Sequence, residues 1–244
     1  MNSTALQNKL ALITGAGRGI GAATARLFVE SGARVVLLSR TKQEVSALAE
    51  ELNQKANTRV ALAWAGDVAK EGTFEEAFRN AEKEFAPIDI LVNAAGVVQI
   101  SPLAETSLEI WDETLNVNLR GSFLACREMF RQATRMKRPG CIVNISSLGG
   151  IRGTEKFPGT AAYMVSKHGV VGLTEIAAVE GKPLGLRVNC IAPGAVDTEM
   201  LRKAAPFLKT KMKPEDIAKT ILFLCDEAQS GKISGSILEI FSNE

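Results

Sequence analysis

Seven short apolar runs, separated by glycine turns and stretches of helical periodicity, constrain this chain more than any other feature. They are LALIT (10–14), RVVLLS (34–39), VALAWAGD ending at Asp67, DILVN (89–93), CIVNIS (141–146), LRVNCIA (186–192) and SILEIF (236–241). Runs that are apolar on consecutive positions suit strands covered on both faces. Between them, helical spacing appears in the stretch containing Leu27 and Phe28, which stops at Ser31-Gly32, and again at Val45, Leu48, Ala49 and Leu52. Further helices are predicted from about Thr73 to Phe85, Leu108 to Met136, Tyr163 to Glu180 and Pro214 to Cys225. Strands alternating with helices of this length pair in parallel through right-handed crossovers. The expected fold class is α/β, a single doubly wound parallel sheet of about seven strands with helices on both faces. In such a sheet the ligand sits at the carboxyl ends of the strands.

Nothing divides the 244 residues, since no Pro/Gly/Ser linker or charge block interrupts them, so residues 1–244 are read as one domain. At 46% hydrophobic the chain can bury a large core, and 29 basic against 27 acidic residues give a net charge of +2, no electrostatic case for nucleic acid. The one basic cluster, Lys203, Lys209, Lys211 and Lys213, reads as a solvated loop. Cys126, Cys141, Cys190 and Cys225 lie far apart with only His168 as an imidazole partner, which argues against a zinc site or a disulfide framework and for reduced, buried thiols. The start MNSTALQNKLALITG enters a strand-like run without a leader pattern, and no long apolar stretch follows. A cytoplasmic protein with no metal and no membrane association is expected.

The first strand opens into TGAGRGIG (14–21), where Gly17, Gly19 and Ala22 fit G-x-G-x-x-A. Glycines here allow positive φ and close approach of backbone to a pyrophosphate, whose charge is met by the amide end of the helix that follows. No Lys-Ser or Lys-Thr follows, which disfavours a P-loop. This is a Rossmann-type dinucleotide turn, with Gly15, Arg18, Gly19, Ile20 and Gly21 as cofactor-binding candidates. An NAD site usually ends its second strand in Asp or Glu; this chain has Ser39-Arg40, and Arg18 lies in the glycine turn. Two guanidiniums can grip a 2′-phosphate through charge-assisted forks, so NADP(H) is expected in preference to NAD(H). Asp67, followed by Val68, either contacts the adenine edge or caps a helix.

Tyr163 and Lys167 stand four positions apart in YMVSK and share a helix face. A free phenol titrates near pH ~10, and a nearby ammonium favours the phenolate, which makes tyrosine a usable general acid or base. The strand ending in Ser146-Ser147 places hydroxyls at the same sheet edge.

With these residues in view, the chain resembles the classical short-chain dehydrogenase/reductase family over essentially its whole length, closest to its 3-oxoacyl-(acyl-carrier-protein) reductases. The motifs are TGAGRGIG (14–21), GDV (66–68), NAAG (93–96), NVNL (116–119), NISS (144–147), YMVSK (163–167) and NCIAPGAVDT (189–198). The resemblance implies Tyr163 as the acid/base, with Lys167 tuning it and bonding the nicotinamide ribose. It implies Ser147 rather than Ser146 on the substrate oxygen, and Asn118 rather than Asn116 holding a water in a proton relay. It lets Asn93, Ala94 and Gly96 line the adenine ribose, Pro193, Gly194 and Val196 flank the nicotinamide, and Thr198 bond its carboxamide or the pyrophosphate. The reaction implied is hydride transfer between nicotinamide and a carbonyl or alcohol carbon.

The chain departs from the family in two loops. The Ser147 to Tyr163 separation is longer than usual, with GTEKFPG as the extra length, and the lid after Pro193-Gly194 is shorter. The segments 148–162 and 195–213 are therefore the expected substrate loops, with Phe157 forming part of the pocket wall. The expected substrate is a small carbonyl or alcohol, with a carrier-linked acyl thioester included. A dehydrogenase of a sugar, polyol or steroid alcohol stays open, as does a non-catalytic NADP-sensing regulator. His168 reads as packing or surface. A homotetramer or homodimer is expected through the long helix around Asn118 and the helix of Tyr163.

Overall fold

A computed structural model describes residues 4–242. Seven strands, β1 (Leu10–Thr14), β2 (Arg34–Ser39), β3 (Ala61–Ala65), β4 (Ile90–Asn93), β5 (Gly140–Ile145), β6 (Leu186–Pro193) and β7 (Ile237–Ile240), form one parallel sheet in the order β3-β2-β1-β4-β5-β6-β7. The helices are α1 (Gly19–Glu30), α2 (Lys42–Ala56), α3 (Gly72–Glu84), α4 (Leu108–Leu115), α5 (Gly121–Met136), α6 (Ala161–Gly181), α7 (Glu199–Ala204), α8 (Pro214–Cys225) and α9 (Glu227–Ser230). This is the doubly wound α/β fold expected from the alternation of runs.

Every residue of β1 and β4 is buried, because successive side chains enter two different cores. Ala11, Ile13, Val35 and Leu37 pack on one face with Phe28, Leu48 and Ile221. Leu10, Leu12, Val36 and Leu38 pack on the other with Phe74, Phe78 and Met129. The outermost strands, β3 and β7, are less buried along their length. Helix α1 ends as expected at Ser31-Gly32, where Gly32 takes φ +90°. All four cysteines are buried free thiols. No helix among the described residues is long and apolar enough to cross a membrane.

The chain winds outward from β1 to β3 and then returns to place β4 against the other side of β1, with Thr14 opposite Asn93. Connections leaving these two strand ends run in opposite directions, and the crevice between them is where this fold takes ligands. One local expectation is corrected. The long helix from Leu108 to Met136 is divided by a π turn, Asn116–Arg120, in which the Gly121 amide reaches back five residues to the Asn116 carbonyl. Such turns insert a residue and re-aim side chains without stopping a helix.

Candidate active site

The crevice begins at the glycine turn. Gly15 adopts φ +63°, and a Cβ there would lie 2.8 Å from the Ala95 Cα. Thr14 holds the two walls together, its Oγ1 accepting from the amides of Ala94 (3.1 Å) and Ala95 (3.0 Å). Helix α1 then starts with Arg18 at its N-cap, with no side-chain cap and no acidic residue in the first turn. Its amide end therefore faces the cleft without an anionic group of its own. The cleft is lined by the glycine turn with Ile20, by Ser39 and Arg40, by Gly66 and Val68, by Ala94 to Val97, and by Thr198 to Met200.

Several expected cofactor residues reach this cleft and others do not. The Asn93 side chain is 3% exposed and faces the sheet interior, donating from Nδ2 to Asn144 Oδ1 (2.9 Å) and the Cys126 thiol (3.6 Å). Its side chain is thus a link between strands rather than a ribose contact, and the wall starts at Ala94. Asp67 turns back on its own chain: Oδ1 accepts from the Ala69 amide (3.0 Å) and its carbonyl from Thr73 Oγ1 (2.7 Å). It does not cap α3, whose N-cap is Glu71. Pro193 ends β6, Gly194 donates to the Ile240 carbonyl (2.8 Å), and Val196 is buried. Thr198 caps α7 by accepting from the Leu201 amide (3.2 Å), and its methyl would be 3.5 Å from a Cβ on Gly19, directly across the turn.

Arg18 and Arg40 both stand at the cleft mouth, but each has acidic company that nothing in the local sequence announced. Arg18 Nη1 lies 2.8 Å from Glu199 and 3.9 Å from Glu44, and Arg40 Nη1 lies 3.8 Å from Glu113.

At the end of β5 the two serines diverge. Ser146 is buried and donates to the Lys167 carbonyl (2.8 Å), which fastens α6 to the sheet. Ser147 instead caps a single helical turn, Leu148–Gly150, accepting from the Gly149 amide (3.1 Å), and its hydroxyl is the side-chain group that favours the phenolate of Tyr163. Gly150 lets this turn press on α6, since a Cβ there would be 2.6 Å from the Lys167 backbone. Tyr163 is the only tyrosine in the chain. Lys167 follows one turn later, buried, with Nζ donating to the Ile145 carbonyl (2.8 Å) and lying 5.7 Å from the Tyr163 ring centre.

Protonation equilibria here differ from the expected order of effects. Burial pushes the Tyr163 phenol above its ordinary value, and the Ser147 hydroxyl pulls it part of the way back. The Lys167 ammonium, expected to favour the phenolate, donates to the Ile145 carbonyl and lies 5.7 Å from the ring centre. Burial also brings Lys167 down to about 8. Since that value lies below the ordinary 10.5, the unfolded chain binds more protons between about pH 8 and 10.5, and stability rises with pH across that window. Lys167→Met is therefore expected to stabilise the cofactor-free protein at pH 7 by about 1 to 3 kcal/mol, or roughly 3 to 10 °C in Tm. Thermal melts should show the gain fully below pH 8 and lose it above about pH 10.5; a variant less stable than wild type at pH 7 would contradict the assignment.

Asn118 lies in the π turn, and its amide is fully engaged. Oδ1 accepts from the Val97 amide (2.8 Å), while Nδ2 donates to the Val97 carbonyl (2.9 Å) and Ser166 Oγ (3.0 Å). Ser166 in turn donates to the Tyr163 carbonyl (2.7 Å). Asn118 and Ser166 thus bolt the helix of Tyr163 to the exit of β4, a role for Ser166 that its place in YMVSK hid. Gly96 completes the junction: a Cβ there would be 3.4 Å from Asn118 Oδ1 and 3.7 Å from Lys167 Nζ. Bare backbone at this point lets the glycine-lined cleft run up to the lysine.

Both segments expected to be substrate loops are internally tied. Lys156 Nζ donates to the carbonyls of Gly149 (3.1 Å) and Ile151 (2.6 Å) and to Thr154 Oγ1 (2.7 Å), closing the 148–162 segment on itself. Phe157 is 39% exposed, and the Ser101 amide donates to the Gly159 carbonyl (2.9 Å). In the second segment the chain forms the short helix α7 where loop is expected, and Asp197 N donates to the Met212 carbonyl (2.8 Å). His168 is exposed, away from this chemistry.

Residues 9–209 match the profile of the short chain dehydrogenase family. The chain is 34% identical to a 3-oxoacyl-[acyl-carrier-protein] reductase of Chlamydia trachomatis, covering 96% of each sequence. It is 36% identical to a D-threitol dehydrogenase of Mycolicibacterium smegmatis, covering 96% of this chain and 92% of that one. Among solved structures, a 3-ketoacyl-(acyl-carrier-protein) reductase from Brucella melitensis complexed with NADH superposes with a TM-score of 0.88 at 32% identity, covering 96% of this chain and 97% of that chain.

Proposed function

The chain belongs to the short-chain dehydrogenase family, and we propose that it reduces a ketone or 3-oxoacyl carbonyl to a secondary alcohol, using NADPH and a proton from Tyr163. It is an oxidoreductase acting on CH-OH or C=O groups. The observation that carries the finer reading is the junction at Gly96, where the glycine-lined cleft comes close to Lys167 Nζ, itself 5.7 Å from the Tyr163 ring centre.

The residues fit a nicotinamide dinucleotide. The uncapped amide end of α1 suits a pyrophosphate, the bare backbone at Gly15 and Gly96 gives a long molecule room, and Thr198 faces the turn. When bound, that cofactor supplies the hydride. The chain's own residues then have separate tasks. Ser147 Oγ, fixed by the Gly149 amide, orients the substrate oxygen toward Tyr163. The Tyr163 phenol, kept protonated at neutral pH by burial, donates its proton to that oxygen as charge develops on it. Lys167, a monocation below about pH 8, stabilises the phenolate left behind. Asn118 acts by holding α6 in place; a relay water beside it would be held by backbone groups, since the side-chain amide is engaged.

NADP(H) preference rests on Arg18 and Arg40 and on the lack of a carboxylate at the end of β2. Arg40→Asp is expected to lower the NADPH to NADH ratio of kcat/KM by about tenfold or more, since it removes a phosphate partner and adds a repelling charge. An unchanged ratio would remove Arg40 from the site.

The same geometry run in reverse oxidises secondary alcohols, and the likeness to a D-threitol dehydrogenase brings polyols into scope. The proposal also includes a homotetramer or homodimer, supported by exposed apolar side chains on α5 and α6, Phe123, Val165, Ile176 and Val179. Light scattering decides the assembly. The function itself is tested by NADPH consumption over diketones, 3-oxoacyl thioesters, ketosugars and quinones. Consumption with one carbonyl class supports the proposal; NADPH binding without consumption for any carbonyl, and without oxidation of any alcohol, would favour a non-catalytic sensor.

A further inference from the structure

The acids that accompany the two cleft arginines bear on cofactor choice, an inference that rests on the proposed 2′-phosphate site. Arg18 is held at 2.8 Å by Glu199, a residue 181 positions away that begins α7, and at 3.9 Å by Glu44 in the first turn of α2. Arg18, Arg40, Glu44 and Glu199 all line the same cleft. Glu199 takes an N-H of Arg18 Nη1, and its carboxylate offsets the charge that a 2′-phosphate would need from the same guanidinium, so the two anions compete for Arg18. Glu199 has an alternative partner in the lysine one turn along α7: Lys203 Nζ lies 2.5 Å from its other oxygen. It can therefore give up Arg18 without becoming an unpaired anion. Arg40, with Glu113 at 3.8 Å, is less firmly held.

We propose that Glu199 is a specificity-determining residue: it occupies Arg18 in competition with the cofactor's 2′-phosphate and so sets how strongly NADPH is preferred over NADH. NADH leaves the Arg18–Glu199 pair intact; NADPH must displace the carboxylate toward Lys203. The two side chains are 64% and 43% exposed, so the effect is that of a solvated pair, a few-fold rather than orders of magnitude.

Calorimetric titration of NADPH and NADH into wild type, Glu199→Gln and Arg18→Ala tests this without any substrate. Glu199→Gln is expected to tighten NADPH by about fivefold and NADH by less than about twofold, with the difference shrinking in high salt. Arg18→Ala is expected to weaken NADPH selectively. Equal tightening of both cofactors by Glu199→Gln, or none, would overturn the proposal while a selective loss in Arg18→Ala left the 2′-phosphate site standing. If Arg18→Ala also left the NADPH to NADH ratio unchanged, that reading of Arg18 would fall together with the role of Glu199.

Discussion

Tyr163→Phe is expected to lower kcat by about 10²- to 10⁴-fold while leaving NADPH affinity within about threefold of wild type. The substitution removes one oxygen. That oxygen is the only phenol in the chain, and burial holds it in the protonated form that a donor requires. The ring stays, and so does the backbone that carries the structural load, because the Tyr163 carbonyl accepts from Ser166 and Ser166 is tied through Asn118 to Val97. A loss in kcat with unchanged binding is the pattern of an interaction made chiefly in the transition state. Turnover within about tenfold of wild type would mean that another group supplies the proton.

Gly21→Ala is expected to damage the cofactor cleft more than any other single methyl. The added Cβ would sit 2.3 Å from the Gly15 carbonyl oxygen and 2.8 Å from its carbon, both backbone atoms of the turn itself. No side-chain rotation relieves such a contact, so the turn must open, and with it the seat of Gly15 against Ala95. Overpacking of this kind costs about 1 to 3 kcal/mol, which for a chain of this size is roughly 3 to 10 °C in Tm. NADPH affinity is expected to fall by about 100-fold, since several amides lose their common aim. Gly72→Ala is the matched control: nothing lies within 4 Å of its Cβ, and a stability change of at most about 1 kcal/mol is expected there. Melting curves and cofactor titrations on the two variants separate a local clash from a general intolerance of alanine.

What could be read from sequence was what local spacing encodes. Apolar runs on consecutive positions gave the strands and, for all but the outermost β3 and β7, their burial on both faces; the glycine turn gave the crevice wall; YMVSK gave Tyr163 and Lys167 on one helix face. Strand parity would also have turned Asn93 inward, since Leu91, two positions before it, packs on the same face as Cys126, its thiol partner. The acids beside Arg18 and Arg40 had no such signal. Glu199 is brought to the glycine turn by the return of β6 to the sheet, and no local pattern reports a contact across 181 residues. The π turn was invisible for a different reason: it inserts one residue without Pro or Gly among its five, so nothing in it marks a break in the stretch from Leu108 to Met136. Helix α7 did carry a signal, Thr198 at the N-cap followed by Glu199, but at six residues it is too short to show periodicity. The balance of charge around Tyr163 needed the structure outright, because only there is the Lys167 ammonium seen to point at the Ile145 carbonyl.

The central claim, that cleft and hydroxyls form one site for hydride and proton transfer to a carbonyl, is tested most directly by isotope. NADPH deuterated at C4, in both stereochemical forms, is incubated with a carbonyl found in the screen, and the alcohol product is weighed by mass spectrometry. One of the two forms is expected to deliver its deuterium to the carbinol carbon of the product. NADPH oxidation with no deuterium in the alcohol from either form would contradict direct transfer and with it the function proposed for this site.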